Sequence, residues 1–159
     1  TSFEPIMDNA PTLNIGDIAV DWKNDIIWVG TGENNSSRSS YAGIGVFKST
    51  DRGDTWQDMG LSDTLHIGRI LINPNNPDEV LVGALGHLYT ENQKRGVFRT
   101  QDGGETWTKT LYVNTTTGII DMEAVPGDFN TIYATSWERS RKAWDFQLLL
   151  MEENTALVI

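Results

Sequence analysis

The sequence predicts an all-β fold made of repeated four-stranded antiparallel sheets. Three observations lead there. The octapeptide Ser49–Trp56, Ser-Thr-Asp-Arg-Gly-Asp-Thr-Trp, recurs as Thr100–Trp107, Thr-Gln-Asp-Gly-Gly-Glu-Thr-Trp, with Asp51 and Asp102 51 residues apart. Both copies follow an apolar lead-in, Gly45-Val-Phe-Lys48 and Gly96-Val-Phe-Arg99. Three upstream segments, 15–22, 67–74 and 119–126, also align, so that Asp17, Arg69 and Asp121 recur at steps of 52 residues. Apolar residues in those segments alternate with period two (Ile18 and Val20, Ile70 and Ile72, Met122 and Ala124), as strands require.

Each element has a physical reason. In the octapeptide, Asp51 or Asp102 accepts hydrogen bonds from turn amides. Gly53 and Gly104 supply the positive φ that a Cβ would penalise. Thr55 and Thr106 open the next strand with a β-branched residue. Trp56 and Trp107 cover the turn, and Ser49 and Thr100 begin it. Around these hairpins one unit reads as strand, turn, strand, long polar loop, strand, octapeptide hairpin, strand. The second strands are 26–30, 80–83 and 131–135; the long loops are 33–43, 86–95 and 137–146.

A unit of about 50 residues and four strands matches one blade of a β-propeller. Residues 1–12 are then the closing strand of a preceding blade, with Phe3 where Trp56 and Trp107 stand. Residues 13–60 and 61–112 are complete blades, residues 113–146 open a third, and residues 147–159 are a divergent tail without the expected strand and octapeptide, in which Gln147–Glu153 reads as a short helix, a foreign tail or a change of reading frame. Propellers close with at least about four blades. A partial β-propeller of this kind implies a fragment of a larger one, of about seven blades or more, or self-association.

A chain of 159 residues falls within the usual size of one domain, and its 21% charged and 38% hydrophobic residues do not indicate disorder. A net charge of −10 argues against nucleic acid and anionic membranes as partners. Without cysteine there is no disulfide and no thiolate metal site. No apolar run approaches about 18 residues, so no span is expected, and no signal peptide is visible.

The octapeptides resemble Asp-boxes (BNR repeats), the hairpin signature of sialidases, sortilin-type ectodomains, xyloglucanase-type glycoside hydrolases and photosystem-assembly propellers. Gly30-Thr-Gly-Glu-Asn34, His66-Ile-Gly-Arg-Ile70, Ala84-Leu-Gly-His-Leu88 and the loop with Arg139, Arg141 and Trp144 extend the resemblance to bacterial sortilin-like repeat proteins that carry a glycosyl hydrolase label. That resemblance implies an exported protein, secreted, periplasmic or bound to the envelope. It also implies that the boxes are structural and lie away from the working face.

In an antiparallel meander the loops between second and third strands share a rim with the connections between blades, opposite the octapeptides. Binding resides on such loops. The candidate binding residues are Arg38, Tyr41, His66, His87, Tyr89, Trp137, Arg139, Arg141 and Trp144, with Trp and Arg suited to stacking on sugars or gripping a peptide. Glu33 and Glu138 follow equivalent strands and are carboxylate candidates for acid–base work on a glycosidic bond; solvated rim charges are the plainer reading. Asp17 and Asp121 start innermost strands, where the xyloglucanase resemblance implies catalytic aspartates; an ion pair to Arg69 is the plainer reading.

No metal and no cofactor is expected, because His66 and His87 lack a third ligand at metal spacing. Sialidase chemistry is not indicated: Arg69-Ile70 is followed by Leu71, not Pro. No phosphate loop or nucleophile elbow occurs. The expected function is a non-catalytic propeller scaffold for a protein, peptide or glycan ligand. The alternative is a glycoside hydrolase fragment completed by other blades.

Overall fold

A computed structural model describes residues 2–35 and 40–140 and the strand at 154–158. The chain is all-β. The first sheet contains β1 (Ile15–Asp21), β2 (Ile26–Thr31), β3 (Val46–Ser49) and β4 (Gln57–Asp58), in that order. The second contains β5 (Ile67–Ile72), β6 (Val80–Ala84), β7 (Gly96–Thr100) and β8 (Thr108–Leu111). The third contains β9 (Thr117–Val125), β10 (Asp128–Glu138) and β11 (Asn154–Val158), with β10 in the middle. All neighbours are antiparallel.

Two segments differ from the sequence expectation. Residues 2–14 form no strand. A closing strand needs a third strand beside it, and the described residues offer none. The segment still keeps its repeat position: Trp56 Nε1 donates to Ile6 O at 2.7 Å, as Trp107 Nε1 donates to Met59 O at 2.7 Å, and Ile6 and Met59 each lie three residues past Phe3 and Trp56. The second difference is the tail. Residues 154–158 form β11, pairing Trp137 with Asn154 and Tyr133 with Val158. The edge of β10 away from β9 offers a row of donors and acceptors, and residues 154–158 pair with it although only Thr155 and Val158 are strong β-formers. The stretch proposed as a helix, 147–153, lies outside the described residues.

The octapeptides fold as tight reversals. Ser49 Oγ donates to Asp51 Oδ1 at 2.7 Å and accepts from Gly53 N at 2.8 Å. Asp51 accepts from Thr55 N at 2.9 Å and Thr55 Oγ1 at 2.6 Å. Thr100, Asp102, Gly104 and Thr106 repeat these bonds. Gly53 and Gly104 sit at φ 98° and 102°, where a side chain is strained. With Thr55 and Ser49 donating to it, Asp51 is held down at about 2. Asp102 is lowered by Thr100 and Thr106 in the same way.

The three innermost strands lie side by side, β1 against β5 and β5 against β9. Each carries a register shift at one equivalent place, at Gly16, Gly68 and Ile120. Such bulges re-aim the next side chain. The approach is close: a Cβ on Gly16 would stand 2.1 Å from Ile67 O, and one on Gly68 2.6 Å from Ile119 O. The apolar core lies between sheets. Trp28, Val46 and Met59 meet Ile70, Val82 and Phe98 between the first two. Leu81 and Val97 meet Ile119, Met122, Ile132 and Ala134 between the second and third.

Candidate functional site

Backbone direction puts the β2–β3 and β6–β7 loops on one rim with the connections 59–66 and 112–116. The octapeptides lie on the opposite rim, tied to the first-to-second strand turns by the Arg52–Asp25 ion pair (2.7 Å) and by Gly103 N on Asp78 O (2.9 Å). The described residues of the loop rim are braced. Glu33 N donates to Tyr41 O, and Tyr41 N returns a bond to Glu33 Oε2 at 3.2 Å. Asn34 Nδ2 reaches two inner strands, at Gly16 O (2.9 Å) and Gly68 O (3.4 Å). His66 is 3% exposed, with Nδ1 2.9 Å from Glu33 O, and burial lowers its pKa. It is an internal brace and presents almost no surface to a ligand.

On the second loop, His87 Nε2 lies 2.8 Å from Asp63 O, and Asn92 Nδ2 donates to His87 O at 3.1 Å. Beneath them Arg95 is fully buried. Its Nη2 donates to His87 O, while Nε and Nη1 have no hydrogen-bond partner among the described residues. Desolvation lowers its pKa. Tyr89 and Tyr41 are exposed. On the third unit, Arg139 stacks over Trp137 with 4.9 Å to the ring centroid, and Glu138 Oε1 accepts from Thr116 Oγ1 at 3.1 Å. Arg38, Arg141 and Trp144 lie outside the described residues.

Just below the rim, the bulged inner strands bring charges together. Arg69 lies 3.9 Å from Asp17, 3.4 Å from Asp121 and 3.7 Å from Glu123. Asp17 Oδ2 also accepts from Ile70 N at 2.7 Å. Burial raises the Asp17 pKa, against the opposing pull of that amide and of Arg69. Asp121 is the more open carboxylate, its side chain 67% exposed against 17% for Asp17. Sequence reasoning did not single out Glu123; two residues past Asp121 on an alternating strand, it was legible as sharing that face. Among the described residues no group of three or more His, Cys, Asp or Glu is placed to hold a metal ion, and no helix is long and apolar enough to cross a membrane.

Three solved structures share this architecture. An ancestral GH74 enzyme superposes with a TM-score of 0.59 at 20% identity, over 79% of this chain and 14% of its own. The GH74 xyloglucanase of Xanthomonas campestris gives 0.55 at 14% identity, over 78% and 18%. The GH74 enzyme of Niastella koreensis gives 0.55 at 19%, over 79% and 18%. The fold is part of a β-propeller. At these identities the likeness concerns fold alone, and the chain spans less than a fifth of each of these propeller proteins. No family model and no curated protein matches the sequence.

Proposed function

We propose that the chain belongs to a non-catalytic propeller scaffold whose loop rim binds a protein, peptide or glycan. The octapeptides serve it as Asp-boxes, and the whole protein is exported. The observation that supports this reading is the engagement of all four candidate carboxylates. Asp17 and Asp121 share Arg69, Glu33 braces the Tyr41 amide, and Glu138 holds Thr116. A carboxylate so held is poorly placed to exchange protons with a sugar oxygen. The open side chains on the rim are of the kinds that stack and grip: Tyr41, Tyr89 and the Trp137–Arg139 pair.

The second reading, a glycoside hydrolase segment, has one specific observation in its favour. Asp17 is pushed by burial toward the protonated form, as a general acid requires. The solved structures that share the fold are titled as GH74 enzymes. Glycan and peptide arrays run beside a polysaccharide hydrolysis screen separate the two. Binding without turnover, weakened by Trp137→Ala, is the expected result. Turnover that disappears in Asp17→Asn would overturn the scaffold reading.

A further inference from the structure

Among the described arginines, Arg95 alone is wholly enclosed, and it pairs with no carboxylate. Arg52, Arg69 and Arg99 are all more exposed, yet each lies within ion-pair distance of Asp or Glu: Arg52 of Asp25, Arg69 of Asp17, Asp121 and Glu123, and Arg99 of Glu79. The carboxylates around the second rim loop are engaged elsewhere. Glu91 accepts from Thr115 Oγ1 at 2.9 Å, Asp63 pairs with Lys94 at 3.0 Å, and Glu33 accepts from Tyr41 N at 3.2 Å. Other groups nearby add positive potential. Arg95 and His87 both disfavour charge on His66, and Lys109 donates to Gln93 O on the same loop.

The repeat does not demand a cation at this place. Gly30 pairs with Val46 and Gly83 with Val97, so Ile44 stands in the first unit where Arg95 stands in the second. An aliphatic side chain would fill the position without the cost of burying a charge. Arg95 instead keeps Nε and Nη1 without an acceptor among the described residues. A buried guanidinium in that condition destabilises the fold until an opposite charge joins it. Water would satisfy the N–H groups but would leave the charge uncompensated.

We propose that Arg95 is the floor of an anion site, and that a small monovalent anion of the chloride class binds at its Nε and Nη1 beneath the loop 86–95. Size and charge set the class. Arg95 brings one positive charge, which one monatomic anion cancels. A carboxylate carried by a larger ligand would need the loop to open, because Arg95 presents no surface. The loop is held over it: Arg95 Nη2 and Asn92 Nδ2 both donate to His87 O. Gly86 packs on the aliphatic stem, where a Cβ would stand 2.5 Å from Arg95 Cγ, so the anion belongs at the guanidinium end. The bound anion would stabilise this loop from within, whatever the rim itself binds.

Urea unfolding across about 0.01–1 M sodium chloride, with sodium gluconate holding the ionic strength constant, tests this. The folded-to-unfolded ratio of the unaltered chain is expected to climb with chloride, by up to about tenfold for each tenfold rise above the dissociation constant. Arg95→Met, apolar like Ile44 in the first unit, should lose that dependence. A ratio that does not change with chloride overturns the proposal, and so does an equal dependence in Arg95→Met. Should Arg95→Met fail to fold, crystals of the unaltered chain soaked in sodium bromide decide. An anomalous peak within hydrogen-bond reach of Arg95 Nε or Nη1 is expected. Bromide found only elsewhere, with water alone at Arg95, overturns the assignment.

Discussion

Trp56 and Trp107 hold the same place in their repeats and make the same indole bond, yet their removal is expected to have unequal effects. Trp107 sits between two sheets. It donates to Met59 O, stands edge-on to Trp28, and packs against the buried cluster of Val46, Met59 and Phe98. Full truncation of a buried aromatic costs about 3–5 kcal/mol. Trp107 is half-buried, which lowers that figure, but an edge-on pair adds about 0.5–1.5 kcal/mol and the hydrogen bond about 1 kcal/mol. Trp107→Ala should therefore destabilise the fold by about 3–4 kcal/mol. Trp56 is half-buried too, but it donates to Ile6 O on a segment that forms no strand, and no second sheet lies against it among the described residues. Trp56→Ala should remove that bond and a smaller apolar contact, about 1–2 kcal/mol. Urea unfolding followed by far-UV circular dichroism compares the two without relying on the deleted fluorophore. Equal losses, within about 0.5 kcal/mol, would refute the argument that the indole stabilises through the sheet it caps rather than through its own turn.

Gly16→Ala should destabilise by about 2–3 kcal/mol, because its Cβ would stand 2.1 Å from a backbone oxygen of the adjoining strand. Gly60→Ala, at φ 84° with open space around it, should cost only about 1–2 kcal/mol of backbone strain; thermal melts of the two variants give the order. Thr55 and Ser49 depress Asp51 to about 2, so its contribution is complete above its unfolded value of about 4 and is lost as pH falls toward 2. Asp51→Asn should flatten that part of an acid unfolding profile. Asp17 has the opposite sign: burial raises its pKa, so its ionisation opposes folding and its contribution fades as pH rises past about 4. Stability of Asp17→Asn measured against pH should lack that decline. The buried His66 ring should titrate below its ordinary 6.5, read from its Cε1 proton by NMR.

Much of the fold was legible because octapeptide chemistry is local. Asp51 and Thr55 satisfy each other within five residues, as do Ser49 and Gly53, so their spacing in the chain is already their geometry. Strand alternation at Ile70 and Ile72 was legible for the same reason. The strand at 154–158 was not, because the loop before it is longer than its equivalents. Sixteen residues separate Gly30 from its partner Val46 and fourteen separate Gly83 from Val97, but Thr135 and Ala156 are twenty-one apart. A period read from two copies cannot place a strand displaced by such an insertion. At the rim, the residue types were visible but their orientations were not. Burial of His66 depends on where the Glu33 carbonyl arrives from the loop after β2, and Arg95 reads in sequence as an ordinary loop cation although it is enclosed.

The inner-strand bulges show how the repeat turns into a charged site. A one-residue shift after Ile15, Ile67 and Ile119 directs Asp17, Arg69 and Asp121 into one line, and the glycines at 16 and 68 let neighbouring strands approach closely enough for a single guanidinium to meet carboxylates on both sides. The third unit breaks the pattern at one position. Ile120 stands where Gly16 and Gly68 stand. A sheet laid against β9 as β5 lies against β1 would meet that side chain where the other two units offer only hydrogen. The line of alternating charge is therefore built for close spacing across the first three inner strands, and the same spacing cannot continue past β9 unless Ile120 is turned aside.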